Sequence, residues 1–301
     1  MLFALNGVTK WYGPVVALDD LNVAVPEGAI GLLGPNGAGK TTMIRTLLGL
    51  IRINRGSGQV LGRDIRREQL KIRQVIGFVP EDECLFPGVT GVGFVAYAGQ
   101  LCGMSGGDAL QRAHEVLDYV GLGEARYRDV ETYSTGMKQR LKLAAAIVHD
   151  PQLLILDEPT NGMDPAGRNE ILKLAQDLSR NKGMSLLFSS HLLPDVEAVC
   201  DYVMVLGRGK MLTQGRLSEL KQGQEGRFQV RVKADAERFR ELLAQRGVTA
   251  LAQGEELIVS LPAGQDGRLL WRLAAEHGLQ IRLLRPQRST LEEVFLKAVR
   301  E

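Results

Sequence analysis

Short apolar segments alternate with longer segments of helical period along most of the chain. The clearest apolar runs are AIGLL (29–33), LLIL (153–156), SLLFS (185–189) and YVMVL (202–206). Uninterrupted apolar runs of this length, bounded by polar turns, are typical of buried strands, and segments of helical period follow three of them. This alternation predicts an α/β domain with a mainly parallel sheet at its core.

One stretch of this domain departs from the alternation. Between residues 91 and 149 strand patterns are absent and helical periodicity dominates. We therefore predict a mainly helical subdomain over about 88–150. With this subdomain included, the α/β domain is predicted to span residues 1–221.

The order of predicted strands and helices changes after residue 221. A polar, glycine-containing linker is followed by segments that read as strand, helix, strand, strand, helix and strand. That order is typical of a small ferredoxin-like α+β domain. We predict such a domain over 222–301, with a last helix over 289–299 that begins with a capping box.

Composition and charge exclude several classes of protein. The chain has 301 residues, of which 45% are hydrophobic and 24% charged, and its net charge is only +2. No segment is apolar enough to span a bilayer, and no basic block suggests a nucleic-acid partner.

The amino terminus lacks a secretory signal, so a cytoplasmic location is expected. The widely spaced Cys84, Cys102 and Cys200 are predicted to be reduced and mostly buried.

The segment GPNGAGKTT directly follows the first apolar run and begins a helical pattern. It matches the phosphate-binding motif G-x-x-x-x-G-K-[ST] in the context that this motif requires. Backbone N–H groups of such a loop surround phosphate oxygens, the lysine reaches the β- and γ-phosphates, and the following threonine binds Mg²⁺. The alternative is an ordinary turn between strand and helix. The predicted nucleotide-binding residues are Gly34, Pro35, Asn36, Gly37, Ala38, Gly39, Lys40, Thr41 and Thr42.

A second acidic element follows another apolar run, in LLILDEP. Asp157 closes this predicted strand, where its carboxylate can hold Mg²⁺ together with Thr41. Glu158 comes next and is placed to orient or deprotonate a water that attacks the γ-phosphate. Taken alone, two acidic residues after a strand can be a solvated turn. With the phosphate loop upstream, we predict a catalytic role for Glu158 and also for Lys40.

A longer stretch lies downstream of the phosphate loop and contains the acidic element. It reads YSTGMKQRLKLAAAIVHDPQLLILDEPTNGMDP (133–165). This stretch, together with the phosphate loop, resembles the nucleotide-binding subunit of an ABC transporter over residues 3 to about 220. The resemblance implies a P-loop ATPase with ATP and Mg²⁺ as cofactors. It also implies a head-to-tail pair of nucleotide-binding domains, with a homodimer expected, and a separate membrane-spanning partner. With that partner, this chain would be a cytoplasmic protein bound peripherally to the inner face of the cell membrane.

The resemblance assigns YSTGM to the family signature, usually written LSGGQ, which closes over the ATP of the partner protomer. Two of its positions match the family and three depart from it, including a threonine where a glycine is usual. A serine at the start of a helix can form a second anion site, but it can also be a plain N-cap. The signature residues implied are Ser134, Thr135, Gly136 and Met137.

The resemblance implies four further site residues. Asp164 in NGMDP corresponds to the loop that joins the two protomers, and His191 in SSH to the residue that senses the γ-phosphate. Tyr12 occupies the adenine-stacking position, with Trp11 as the alternative if the register differs by one. Glu81 stands where the family has glutamine and adds a negative charge to a site that already holds two carboxylates.

The expected function follows from the resemblance. The apolar segment 81–104 corresponds to the surface that receives a short helix from the membrane partner, although part of it can equally be core. The C-terminal domain resembles that of export-type subunits. We therefore expect an ATPase that drives export of a substrate the sequence does not identify. The alternatives are a soluble ABC-type ATPase without a membrane partner and a regulatory nucleotide-binding module.

Overall fold

The computed structural model describes residues 1–222, 227–262 and 265–286, except for the side chains of residues 221, 222 and 286. It separates into two compact units, one formed by Met1–Leu217 and one that begins at Ser218. The domain boundary between residues 221 and 222 stays a prediction. The helix predicted over 289–299 lies outside the described residues.

The strands fall into three sheets. Ten strands lie in the first unit and four in the second, within the described residues. In chain order they are β1 (Phe3–Tyr12), β2 (Val15–Val25), β3 (Ala29–Leu33), β4 (Arg55–Val60), β5 (Arg63–Asp64), β6 (Ile76–Val79), β7 (Leu153–Asp157), β8 (Ser185–Ser190), β9 (Tyr202–Gly207), β10 (Lys210–Arg216), β11 (Arg227–Val232), β12 (Thr249–Gln253), β13 (Glu256–Ser260) and β14 (Ile281–Pro286).

The helices connect these strands. In chain order they are α1 (Lys40–Leu47), α2 (Gln69–Arg73), α3 (Gly91–Leu101), α4 (Gly106–Tyr119), α5 (Thr135–Ile147), α6 (Pro165–Arg180), α7 (Leu193–Val199), α8 (Leu217–Gln222), α9 (Ala236–Gln245) and α10 (Arg268–Glu276). Two short 3₁₀ turns, Gly123–Tyr127 and Val130–Thr132, lie between α4 and α5.

The central sheet has the strand order β10-β9-β3-β8-β7-β6 and is parallel except for the edge strand β10. Every residue of β3, β7 and β8 is buried, because both faces of this sheet are covered. The predicted mainly parallel core is therefore confirmed. The register pairs Leu33 with Ser190 and Asp157 with Ser189, so the carboxyl ends of these three strands lie side by side.

A second sheet of the first unit is antiparallel, with the order β2-β1-β4-β5. Leu5 and Leu21 from its first two strands share one hydrophobic core with Ile44 of α1 and Ile30 of β3. The sequence analysis did not predict this sheet. In β1 and β2 buried positions alternate irregularly with exposed ones, because register shifts interrupt their pairing.

The helical stretch predicted over about 88–150 contains α3, α4 and α5 and joins the neighbouring strands β6 and β7. Helix α3 contacts both α4 and α5. Its buried face includes Phe94 and Val95. Helix α3 begins at the N-cap Thr90, whose hydroxyl accepts a hydrogen bond from the backbone of Gly93.

The second unit contains one antiparallel sheet with the order β12-β13-β11-β14, together with α9 and α10. This order is that of a ferredoxin-like fold, which confirms the predicted α+β class. Its small core is built from Val230, Phe239, Leu243, Val259 and Leu270.

The prediction for the cysteines was wrong for two of the three. Cys200 is buried, but Cys84 and Cys102 are exposed. Cys84 lies in the loop that leaves β6, and Cys102 directly follows the last residue of α3, so neither side chain is enclosed by the core. Among the described residues, no helix is both long enough and apolar enough to cross a bilayer.

Candidate functional site: a phosphate loop beside two acidic residues

The loop between β3 and α1 has the backbone geometry of an anion cradle. Gly39 is the N-cap of α1 with φ of 104°, and Gly37 has φ of 79°. Both values lie in the left-handed region that favours glycine. A Cβ atom on Gly39 would stand only 2.6 Å from the carbonyl oxygen of Ala17, so a larger residue does not fit there. The loop therefore turns its N–H groups and the helix N-terminus toward one open cavity.

This cavity has a volume of about 390 Å³. Its wall brings together most of the predicted nucleotide-binding residues with two acidic side chains from other strands. Gly34 is not part of the wall, and neither is Tyr12. The lining residues are Val15, Val16, Ala17, Pro35, Asn36, Gly37, Ala38, Gly39, Lys40, Thr41, Thr42, Glu81 and Glu158.

Lys40 is almost completely buried at the start of α1. Its ammonium group donates a hydrogen bond of 2.8 Å to the carbonyl oxygen of Gly34. It also lies 3.2 Å from Oε1 of Glu158, and only 7% of each of the two side chains is exposed. A buried cation with one buried carboxylate partner is suited to receive an anionic ligand.

Glu158 follows β7 in a strained conformation, with φ of 47°. Its backbone N–H donates to the carbonyl oxygen of Ser189 at the end of β8. Positive φ at a residue other than glycine costs on the order of 1 kcal/mol or more and is found at functional sites. The turn directs the carboxylate toward Lys40 and into the wall of the cavity.

His191 lies next to Glu158. Its Nδ1 atom is 2.8 Å from Oε2 of Glu158, and its backbone N–H donates to the same oxygen at 3.3 Å. The ring remains 42% exposed. The two residues meet because β7 and β8 are adjacent parallel strands and each residue follows the end of its strand. One oxygen of Glu158 thus contacts Lys40 and the other contacts His191.

Asp157 and Thr41 bring a carboxylate and a hydroxyl together between the end of β7 and the start of α1. The hydroxyl of Thr41 donates to Oδ2 of Asp157 at 3.2 Å. The Oδ1 atom of Asp157 is buried and has no hydrogen-bond partner. Burial raises the pKa of Asp157 above its usual value. A cation would relieve this cost, and a hydroxyl with a carboxylate is the oxygen donor set of Mg²⁺ in P-loop sites.

Two residues suffice for such a site only if the nucleotide supplies further oxygen ligands. Within the part of the chain that the structure describes, no group of three or more His, Cys, Asp or Glu side chains could hold a metal ion alone. The donor set of Asp157 and Thr41 therefore fits a cation that arrives with a triphosphate.

Glu81 lies two residues beyond the end of β6 and lines the cavity. Its Oε1 atom accepts a hydrogen bond of 3.0 Å from the side-chain amide of Asn161. The loop that carries it is held by Lys142 of α5, whose ammonium group donates to the carbonyl oxygens of Pro80, Glu81 and Asp82. Neither contact could be predicted from the sequence, since no local pattern distinguishes Lys142 from other helical lysines.

The signature residues lie away from this cavity. Ser134 is the N-cap of α5, and its hydroxyl accepts a hydrogen bond of 3.3 Å from the backbone of Met137. The helix begins at Thr135, directly after this cap. Thr135 adopts an ordinary helical conformation, so the replacement of the family's glycine causes no backbone strain. Gly136 follows in the first turn of the helix.

Asp164 and Tyr12 also lie outside the lining of the cavity. Asp164 is the N-cap of α6 and accepts a hydrogen bond of 3.3 Å from the backbone of Gly167. Tyr12 ends β1 and is 46% exposed, with the ammonium group of Lys10 4.6 Å from the centre of its ring. Tyr12 pairs with Val15 of β2, and Val15 is one of the two valines that line the cavity.

The comparisons with known proteins agree with this geometry. The family described as "ABC transporter" matches residues 18–161. The family described as "ATP-binding protein DrrA1-3-like, C-terminal domain" matches residues 215–299.

Several curated relatives match nearly the whole chain, among them two resistance proteins. The linearmycin resistance ATP-binding protein LnrL of Bacillus subtilis is 36% identical, covering 98% of this chain and 97% of that protein. The daunorubicin/doxorubicin resistance ATP-binding protein DrrA of Streptomyces peucetius is also 36% identical, covering 97% and 90%. Among solved structures, the dimeric post-hydrolysis state of the ATP-binding cassette MJ0796 bound to ADP and Pi is 25% identical, with a TM-score of 0.66, covering 72% of this chain and 99% of that chain.

The parallel sheet, the phosphate loop and the acidic residues at the ends of neighbouring strands define a P-loop nucleotide-binding ATPase. The matches to full-length relatives then fix the family. The chain belongs to the ABC transporter family, as one of its ATP-binding subunits.

Proposed function

We propose that this chain is the ATP-hydrolysing subunit of an ABC exporter. The observation that carries the proposal is the contact between Lys40 and Glu158 in the wall of the phosphate-loop cavity, together with the contact of His191 with Glu158. Binding of ATP closes a pair of such subunits, and hydrolysis reopens it. These two conformations shift the population of states of a membrane-spanning partner.

Each residue of the site has a role in hydrolysis. The N–H groups of the loop 34–39 and the ammonium group of Lys40 bind the phosphates. Glu158 accepts a proton from the attacking water or orients it, and His191 holds the Glu158 carboxylate and contacts the γ-phosphate. Mg²⁺, held by Asp157 and Thr41, would neutralise phosphate charge when it is bound with ATP. Tyr12 stacks on the adenine, and Glu81 faces the γ-phosphate.

The second half of each ATP site comes from another copy of the chain. Ser134, Thr135, Gly136 and Met137 lie outside the lining of their own cavity, and Ser134 and Thr135 are exposed at a helix N-terminus. A helix N-terminus is suited to an anion delivered by a partner. The pair is head-to-tail, and Asp164 lies at its contact. The solved ATP-binding cassette MJ0796, which has this fold, is dimeric.

The membrane partner docks on the segment 81–104. Phe86, Tyr97 and Leu101 are exposed there, and the ring of Phe86 contacts that of Tyr97 with centroids 5.9 Å apart. An exposed apolar and aromatic surface of this kind suits a helix laid against it. The subunit therefore works on the cytoplasmic face of the cell membrane, as a peripheral protein.

The exported compound is proposed from the relatives. LnrL is a linearmycin resistance protein and DrrA a daunorubicin/doxorubicin resistance protein. The family matched by residues 215–299 is likewise named after DrrA-like ATP-binding proteins. We therefore propose an antibiotic or a compound of similar size as the substrate of the complete transporter, with selection made by the membrane partner.

ATP hydrolysis by the purified chain, alone and with the membrane protein that copurifies from detergent extracts, tests this function. We expect hydrolysis that the partner stimulates and that Glu158→Gln abolishes. Hydrolysis by the chain, when no membrane protein copurifies with it from any extract, would support a soluble ABC-type ATPase instead. ATP binding without hydrolysis by the wild-type chain would support a regulatory module.

A further inference from the structure

A completely buried carboxylate lies close to the catalytic residues, although it does not line the cavity. Asp195 belongs to α7 and has no exposed surface. Its Oδ2 atom accepts a hydrogen bond of 2.6 Å from the hydroxyl of Thr160. Its Oδ1 atom accepts one of 2.6 Å from Nε of Arg168, and a second guanidinium nitrogen of Arg168 also contacts this oxygen. A buried charge is tolerated only when it is paired in this way.

The two partners of Asp195 flank one short segment of the chain. Thr160 precedes the segment 161–167, and Arg168, in the first turn of α6, follows it. This segment contains Asn161, which donates to Glu81, and Asp164, which caps α6. One carboxylate thus joins the residues at both ends of the segment that we assign to the contact between protomers.

The same carboxylate is linked to the catalytic pair from both sides. Thr160 lies two residues after the strained Glu158, and the backbone of Asn161 bonds to the carbonyl oxygen of Glu158. Asp195 lies four residues after His191, in the helix that begins directly beyond it. Because Glu158 and His191 come from different strands, a link between the chain segments that follow them constrains the 2.8 Å contact between the two side chains.

We infer that Asp195 is a positioning residue for ATP hydrolysis. It keeps the carboxylate of Glu158 and the ring of His191 in register, and it holds the segment 161–167 in the shape that a second protomer meets. It does so through Thr160 and Arg168, without contacting the nucleotide. The inference rests on the proposed function, in which Glu158 and His191 act on ATP.

The direct test is Asp195→Asn, which preserves the size of the side chain and removes its charge. Small displacements of catalytic groups cost up to about 100-fold in rate, so we expect kcat to fall by about 10- to 100-fold. Binding of a fluorescent ATP analogue to the same preparation should be unchanged, because the loop 34–39 and Lys40 are untouched. Asp195→Glu, which retains the charge, should recover part of the rate.

A second variant protects the test against a folding defect. Thr160→Val keeps the shape of the side chain and removes one hydrogen bond, so it should lower kcat in the same direction and by less. Residues that act as a unit show non-additive effects on kcat. The double variant Thr160→Val/Asp195→Asn should therefore be no slower than Asp195→Asn alone.

The matched control lies at the other end of α6. Tyr119 donates a hydrogen bond of 2.5 Å to Asp177, so Tyr119→Phe removes a comparable bond far from the segment 161–167. We expect its kcat to equal that of the wild type. An Asp195→Asn protein with wild-type kcat, or one whose ATP binding falls together with kcat, would overturn the inference. A wild-type chain without hydrolysis would contradict the proposed function itself, and the inference with it.

Discussion

The side chains of Lys40 and Glu158 form a buried ion pair in the wall of the phosphate-loop cavity, with Nζ of the lysine 3.2 Å from Oε1 of the glutamate. The same lysine is the predicted ligand of the β- and γ-phosphates. In the proposed function, ATP competes with Glu158 for this ammonium group, and the carboxylate becomes available to water when ATP binds. We therefore expect nucleotide binding to be coupled to the activation of Glu158 as the base.

The first prediction concerns this competition. Glu158→Gln removes the negative charge, so hydrolysis should fall by about 100- to 10,000-fold while the affinity for ATP rises. Phosphate release measures the first effect, and titration with a fluorescent ATP analogue measures the second. Glu115→Gln, an exposed change on α4, serves as the control and should leave both quantities unchanged. Weaker ATP binding by Glu158→Gln than by the wild type would contradict the competition.

The second prediction concerns the cation site. Thr41→Val removes the hydroxyl that donates to Oδ2 of Asp157, so half-maximal hydrolysis should require a higher Mg²⁺ concentration. A Mg²⁺ titration at saturating ATP measures this requirement. Thr46→Val is the matched control, since the hydroxyl of Thr46 bonds within α1, to the carbonyl oxygen of Thr42. An equal Mg²⁺ requirement in both variants would contradict the assignment of Thr41.

The third prediction compares two lysines of α5. Lys142→Met leaves three carbonyl oxygens of the loop 80–82 without their ammonium donor, which should lower the free energy of unfolding by about 1–3 kcal/mol. Lys138→Met breaks only an ion pair with the exposed Glu83 and should change it little. Urea unfolding of both variants gives the comparison. Equal losses would show that the three carbonyl contacts do not stabilise the fold.

The fourth prediction concerns pH. Burial lowers the pKa of His149 below its ordinary value of 6.5. The unfolded chain therefore binds a proton at a higher pH than the folded chain does, and stability should fall as the pH drops below about 6.5 until the folded pKa is passed. Urea midpoints at pH 7.5 and 5.5 should differ less in His149→Gln than in the wild type. His277→Gln, at an exposed histidine, should leave the difference unchanged.

The central sheet was predictable because β3, β7 and β8 are buried on both faces, and burial on both faces produces uninterrupted apolar runs. The second sheet was not, because β1 and β2 carry irregular patterns that register shifts explain only once the pairing is known. The ferredoxin-like unit was predictable from the order of its elements. Periodicity thus identifies strands whose environment is uniform along their length.

The site likewise has parts that the sequence predicts and parts that it does not. The phosphate loop was predictable because its chemistry resides in consecutive residues, and Gly39 must be glycine for a local backbone reason. The sequence predicts that Glu158 and Lys40 belong to one site, but it does not predict that they contact each other. That contact depends on the register of separate strands. Lys142 and Asp195 gave no signal, because what each residue does is set by partners that are distant in sequence.

The helices α3, α4 and α5 leave the parallel sheet from β6 and return to it in β7, the strand next to β6. The helical stretch therefore begins and ends at two strands that pair with each other. The order of the other strands in the central sheet does not depend on the residues between β6 and β7. A chain of this architecture can change α3 and α4, residues 91–119, while β6 and β7 keep their alignment, because Glu81 and the signature residues lie outside that stretch. In such a variant part of the docking surface that we propose for the membrane partner changes, while the residues that we assign to the nucleotide keep their places.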